Sequence, residues 1–139
     1  MSTTGKLSSK LDRLRKDCAR LEQHRQLSLK EFLSNVSAQD QVCYLLFTTY
    51  ENACEIADGL IGLRGLPKPI GEANTFAFLG EQDVLSDTCV SQLNAMEGLC
   101  TSLSEDYEDI DPEWVYQALQ INLAGLYQFV EQVQAYLDQ

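Results

Sequence analysis

Leu7, Leu11, Leu14, Cys18, Leu21 and Arg25 recur at alternating spacings of four and three, which sets them on one stripe of an amphipathic helix running from about Leu7 to the mid-twenties. Lys10, Arg13, Lys16 and Arg20 fall on its outer side, where a solvated or acid-paired face is expected. Ser28 to Glu31 has capping-box spacing, and Ser37 to Asp40 offers a second N-cap. The pattern that follows is longer. Val42, Leu45, Leu46, Thr49, Ala53, Ile56, Ala57, Leu60 and Ile61 predict a long helix with a wide buried face, stopped by Gly65, Pro67 and Pro69. A shorter helix is expected from Glu72 to about Gln82, carrying Phe76 and Leu79. Ser86 caps the next, whose inner face is Cys89, Val90, Leu93, Met96, Cys100 and Leu103. Asp111 and Pro112 pair an N-cap with a proline at the first helical position, and Glu113 lies in the first turn, where the helix dipole favours an acid. The last helix buries Val115, Leu119, Leu126, Phe129 or Val130, Val133 and Leu137. No segment alternates with period two. The pattern predicts an all-α antiparallel bundle of about five helices in one domain spanning 1–139.

Composition agrees with one domain, since 139 residues at 45% hydrophobic content can bury a real core. The net charge of −11 is uneven: residues 1–36 hold eight of the ten bases against four acids. Nucleic-acid binding draws on Lys and Arg to neutralise phosphates, and only the first helix could supply them. The five cysteines show no CxxC spacing, and the N-terminal segment lacks an apolar signal core, so reduced thiols in a cytoplasmic protein are expected. No apolar run approaches the roughly 20 residues of a membrane span.

Candidate chemistry concentrates between Glu105 and Glu113, where six carboxylates stand without a base. A calcium loop would need a turn glycine where Trp114 stands, so no metal or other cofactor is expected. The single histidine, His24, lies among polar neighbours on the first helix and reads as a surface residue. Cys100 lies on an apolar face before the acidic loop. Burial and negative charge both disfavour an activated thiolate there.

The segments "IADGLIGLRGLPKP", "FAFLGEQDVL", "MEGLCTSLSEDY" and "IDPEWVYQAL" follow one another in an order that resembles the HepT-like branch of the HEPN family. The resemblance covers nearly the whole chain and is clearest from Tyr50 to Leu119. It implies a helical bundle that forms a homodimer through the motif-bearing helices, with Met96 and Leu103 expected to supply apolar surface. It also implies membership of a toxin–antitoxin pair whose other component is a minimal nucleotidyltransferase. In the family pattern M-x-G-x-R-N-x-L-V-H-x-Y, Arg and His are the catalytic pair of a metal-independent ribonuclease, and Tyr is the residue the nucleotidyltransferase modifies with AMP.

Met96, Gly98, Leu103 and Tyr107 match that pattern, whereas Cys100 stands for Arg, Thr101 for Asn and Glu105 for His. Arg to Cys removes a permanent bidentate phosphate donor. His to Glu exchanges a group that titrates near neutrality for an anion. General acid–base catalysis and electrostatic stabilisation are each commonly worth about 10² or more, so the degenerate motif predicts little ribonuclease activity. The chain then reads as a binding partner or AMP acceptor, with Tyr107 as acceptor or as an aromatic pinning the loop. Two alternatives stand beside it: an active ribonuclease that binds RNA, with Glu105 as base and cations from the first helix, and a structural dimerisation protein with no link to nucleotides.

Overall fold

The computed structural model describes residues 3–63, 65 and 72–139. Among them lie six α-helices and no strand: α1 (Thr3–Arg25), α2 (Leu29–Leu33), α3 (Val36–Leu63), α4 (Glu72–Glu81), α5 (Asp87–Glu105) and α6 (Pro112–Leu137), with a 3-10 turn at Tyr107–Asp109 between the last two. The all-α expectation holds. The addition to about five helices is the single-turn α2, which the capping box starts: Glu31 N–H donates to Ser28 Oγ (3.1 Å) while Ser28 N–H donates to Glu31 Oε1 (2.9 Å).

Contacts along the helices fix their directions. Asn52 Nδ2 donates to the Lys10 carbonyl while Gly59 lies against Leu7, so α1 and α3 run antiparallel. Arg15 reaches Gln134 while Tyr116 reaches the Leu27 carbonyl, which sets α6 antiparallel to α1. Gln132 meets Ser86 as Cys89 meets the Gly125 carbonyl, and Cys100 meets Leu46 as Tyr107 meets Asp40; α5 is therefore antiparallel to both α6 and α3. Leu11, Leu14, Cys18 and Leu21 of α1 are fully buried against these helices. Tyr50, Phe76 and Phe129 stack edge-on, each centroid pair 5.9 Å apart, and tie α3, α4 and α6 together.

Several local expectations need correction. Helix α1 begins at Thr3, a turn before Leu7, and its buried stripe ends at Leu21; Arg25 is exposed and pairs with Glu22 at 3.0 Å. Ser37 is not the cap of α3. Asn35 is, because its side chain lies close enough to accept from Ala38 N–H (3.0 Å), which places Ser37 inside the first turn. Gln39 then turns back to donate to the Phe32 and Leu33 carbonyls at the end of α2, the former also accepting from Asn35 N–H. Helix α3 stops at Leu63, with Gly65 at φ 69° and its N–H on the Gly62 carbonyl. Pro67 and Pro69, the other expected stops, lie outside the described residues. The Ser86 and Asp111 caps form as expected, accepting from Cys89 N–H (3.2 Å) and Glu113 N–H (2.9 Å). Phe129 and Val130 are both buried, and Leu137 is partly exposed.

Candidate functional site

Residues three and four apart share one face of a helix, so Glu97, Cys100, Thr101, Ser104 and Glu105 of α5 form a single wall. Phe47, Tyr50 and Glu51 of α3 face it by the same spacing. Between them lies a cleft of about 210 Å³. The three motif positions singled out in the sequence, Cys100, Thr101 and Glu105, therefore line one cleft. Cys100 is buried, its Sγ 3.8 Å from the Leu46 carbonyl, while Thr101 and Glu105 are exposed. Among the described residues the lining includes three carboxylates and no base.

Tyr107 does not enter this cleft. The chain leaves α5 when Asp106 N–H bonds the Ser102 carbonyl (2.7 Å), and the 3-10 turn carries Tyr107 over the start of α3. There its hydroxyl donates to Asp40 Oδ1 at 2.7 Å. A second cleft of about 340 Å³ lies beside it, lined among others by Asp40, Cys43, Glu108 and Ile110. The Tyr107 ring is 47% exposed, so the residue both pins the turn and remains open to solvent. Its phenol is pushed up to about 12, first by the hydrogen bond to the Asp40 carboxylate and then by partial burial. Burial, reinforced by the Asp40 charge, raises the Cys43 thiol to about 11.

The acidic loop does not gather into a metal cage. Among the described residues no group of three or more His, Cys, Asp and Glu side chains is arranged to hold a metal ion. His24 is half-buried on α1. The bases of α1 are largely paired with acids: Lys10 with Glu55, and both Arg13 (3.5 Å) and Arg20 (2.8 Å) with the buried Asp17. Lys10, Arg13 and Lys16 line a third groove of about 560 Å³, which shares Glu51 with the motif cleft.

Met96 and Leu103 do not supply apolar surface. Both are buried in the chain's own core, at 0% and 7% exposure, because α5 turns them toward the bundle. The most exposed large apolar side chains belong to α3, where Val36 and Tyr44 are 66% and 63% exposed. Sequence reasoning also missed Asp40, Glu51 and Glu97 as site residues. The four-residue spacing of Glu97, Thr101 and Glu105 could have found Glu97. Nothing local points to Asp40, which is 67 positions from Tyr107.

The family model described as Ribonuclease HepT-like matches residues 14–133. The chain belongs to the HepT-like family. This HepT-like chain is 27% identical over 117 residues to the tRNA nuclease HepT of Aphanizomenon flos-aquae (strain 2012/KM1/D3), which spans 84% of this chain and 80% of that protein. Its fold matches the tri-AMPylated HEPN toxin of Shewanella oneidensis in complex with MNT antitoxin at a TM-score of 0.83, with 21% identity over 97% of this chain and 99% of that one. It matches a toxin–antitoxin solved with AMP-PNP equally well, at a TM-score of 0.83 and 20% identity over 93% and 97% of the two chains. The likeness to these two structures establishes the fold. No described helix of the chain is long and apolar enough to cross a membrane.

Proposed function

We propose that this HepT-like chain is one component of a toxin–antitoxin-type pair, degenerate as a ribonuclease, and that it serves a minimal nucleotidyltransferase as binding partner and AMP acceptor through Tyr107. The observation that carries the first half is the chemistry of the motif cleft. Where the family pattern has Arg and His there are a buried thiol and a carboxylate, and Glu51 and Glu97 add two more negative groups beside them. Such a lining repels an RNA backbone and offers it no bidentate donor. The second half is supported by the exposure of Tyr107 and by the HEPN toxin of similar fold that was solved tri-AMPylated in complex with MNT antitoxin. The carboxylates around Tyr107 repel a free nucleotide, so the partner supplies both the nucleoside triphosphate and its divalent cation.

One observation favours the ribonuclease alternative: Glu51 joins the motif cleft to the groove carrying Lys10, Arg13 and Lys16. Two of those cations are already engaged by Glu55 and Asp17, which weakens them as phosphate donors. Incubation of the purified chain with RNA tests the choice. Background cleavage is expected; robust cleavage abolished by Glu105→Ala would overturn the degenerate reading. The same proposal includes a homodimer in which exposed Val36 and Tyr44 of α3 contribute, and sedimentation at micromolar concentration giving only a 15.6 kDa species would contradict it. Five buried cysteines, none of them in a disulfide, suit a reducing, cytoplasmic setting.

A further inference from the structure

We propose that Asp40 is the general base that takes the proton from Tyr107 when that tyrosine is adenylylated. The inference rests on the acceptor reading of Tyr107 and adds to it a residue from another helix. Its basis is geometric. The Tyr107 hydroxyl already donates to Asp40 Oδ1 at 2.7 Å, the distance from which a proton passes directly to a carboxylate. The turn at Tyr107–Asp109 and the N-terminal part of α3 hold the two groups together across 67 residues of sequence. Among the described residues no Lys, Arg or His forms an ion pair with Asp40, so its oxygen is not occupied by a cation. Both residues are exposed, as an acceptor and its base must be if a second protein is to present the nucleotide.

The step balances as follows. Tyr107 Oη attacks the α-phosphorus of a nucleoside triphosphate held with its divalent cation by the partner. The Oη–P bond forms, the bond from the α-phosphorus to the bridging oxygen breaks, and pyrophosphate leaves with the electron pair. The phenolic proton passes to Asp40 and from there to solvent. A base is needed because the phenol, held at about 12, is ionised in only about one molecule in 10⁵ at neutral pH. The hydrogen bond that keeps the phenol protonated at rest is the path by which its proton leaves.

Asp40→Asn keeps the size and the hydrogen-bond acceptor while removing the proton acceptor. With the nucleotidyltransferase partner, ATP and magnesium, its rate of adduct formation is expected to fall about 100-fold or more, with Asp40→Glu recovering part of the loss. The deficit should narrow as pH is raised toward 10, because hydroxide then ionises the phenol without help. The other titratable groups facing Tyr107 are Cys43 of α3, a thiol throughout that range, and Glu108 of its own turn; Pro112 and Val115 of α6 do not titrate. A deficit that stays constant with pH would make Asp40 a positioning residue and overturn the base. So would an Asp40→Asn chain modified at Tyr107 as fast as the unaltered one, and in that case the acceptor reading stands. An unaltered chain that gains no adduct, or gains one elsewhere, removes the acceptor reading and the base with it.

Discussion

Gly125 of α6 lies against Gln92 of α5. A Cβ added there would overlap Gln92 Cβ and crowd Gln92 Cγ at 3.3 Å. These atoms are at or next to the backbone, so the clash cannot be relieved by turning a flexible tip away, and the helices must part. Overpacking of this kind costs about 1–3 kcal/mol, and a contact this close to the backbone belongs in the upper half, about 2–3 kcal/mol. Replacing glycine by alanine inside a helix returns about 1 kcal/mol. Gly125→Ala is therefore expected to destabilise the chain by about 1–2 kcal/mol. Gly98 of α5 supplies the control, since it is exposed and a Cβ there meets nothing within 4 Å. Gly98→Ala should gain the helical term alone, about 1 kcal/mol. The difference between the two variants is then about 2–3 kcal/mol, readable as midpoint shifts of opposite sign in urea at unchanged slope. A Gly125→Ala chain as stable as the Gly98→Ala chain would refute the close approach of α5 and α6.

Restoring the motif with Cys100→Arg and Glu105→His should recover RNA cleavage at a stability cost of about 1–3 kcal/mol, because position 100 is packed against α3. A folded double variant that cuts no RNA would show that the cleft no longer aligns the two positions. Cys18 and Cys89, both raised to about 12 chiefly by burial, should resist alkylation at pH 8 in the native chain and react quickly once it is unfolded; rapid native labelling would contradict their burial. Because the folded phenol of Tyr107 lies above the ordinary value of 10, its stabilising contribution is full below pH 10 and is lost as pH rises through about 12. Tyrosinate absorbance should show this late titration, and Asp40→Asn should move it down toward 10; no movement would mean that the hydrogen bond to Asp40 is not its main cause.

The helices were legible because each combines a periodic apolar stripe with a terminator that acts locally. Ser28, Ser86 and Asp111 cap as their spacing implies, since a cap reaches only two or three residues. Ser37 misled for the same reason: Asn35, equally suited and two residues earlier, reached Ala38 first. Met96 and Leu103 are expected at an interface because the resemblance implies pairing through the motif-bearing helices, and the periodicity of α5 does not say what covers its apolar face. Helices α3, α4 and α6 of the same chain pack against α5 and leave both residues buried. The two clefts were half legible. Cys100, Thr101 and Glu105 lie on one helix and were marked by the resemblance to the family pattern, whereas Glu51 and Asp40 come from α3, and pairing across the bundle leaves no trace in local pattern.

The most direct test of the proposal that Tyr107 is an AMP acceptor on a chain degenerate as a ribonuclease is the intact mass of the chain after incubation with the proposed nucleotidyltransferase partner, ATP and magnesium. One or more adenylyl groups are expected on the unaltered chain and none on Tyr107→Phe. An unchanged mass, or an adduct that survives Tyr107→Phe, would contradict the acceptor role and leave Tyr107 as the residue that pins the turn to Asp40.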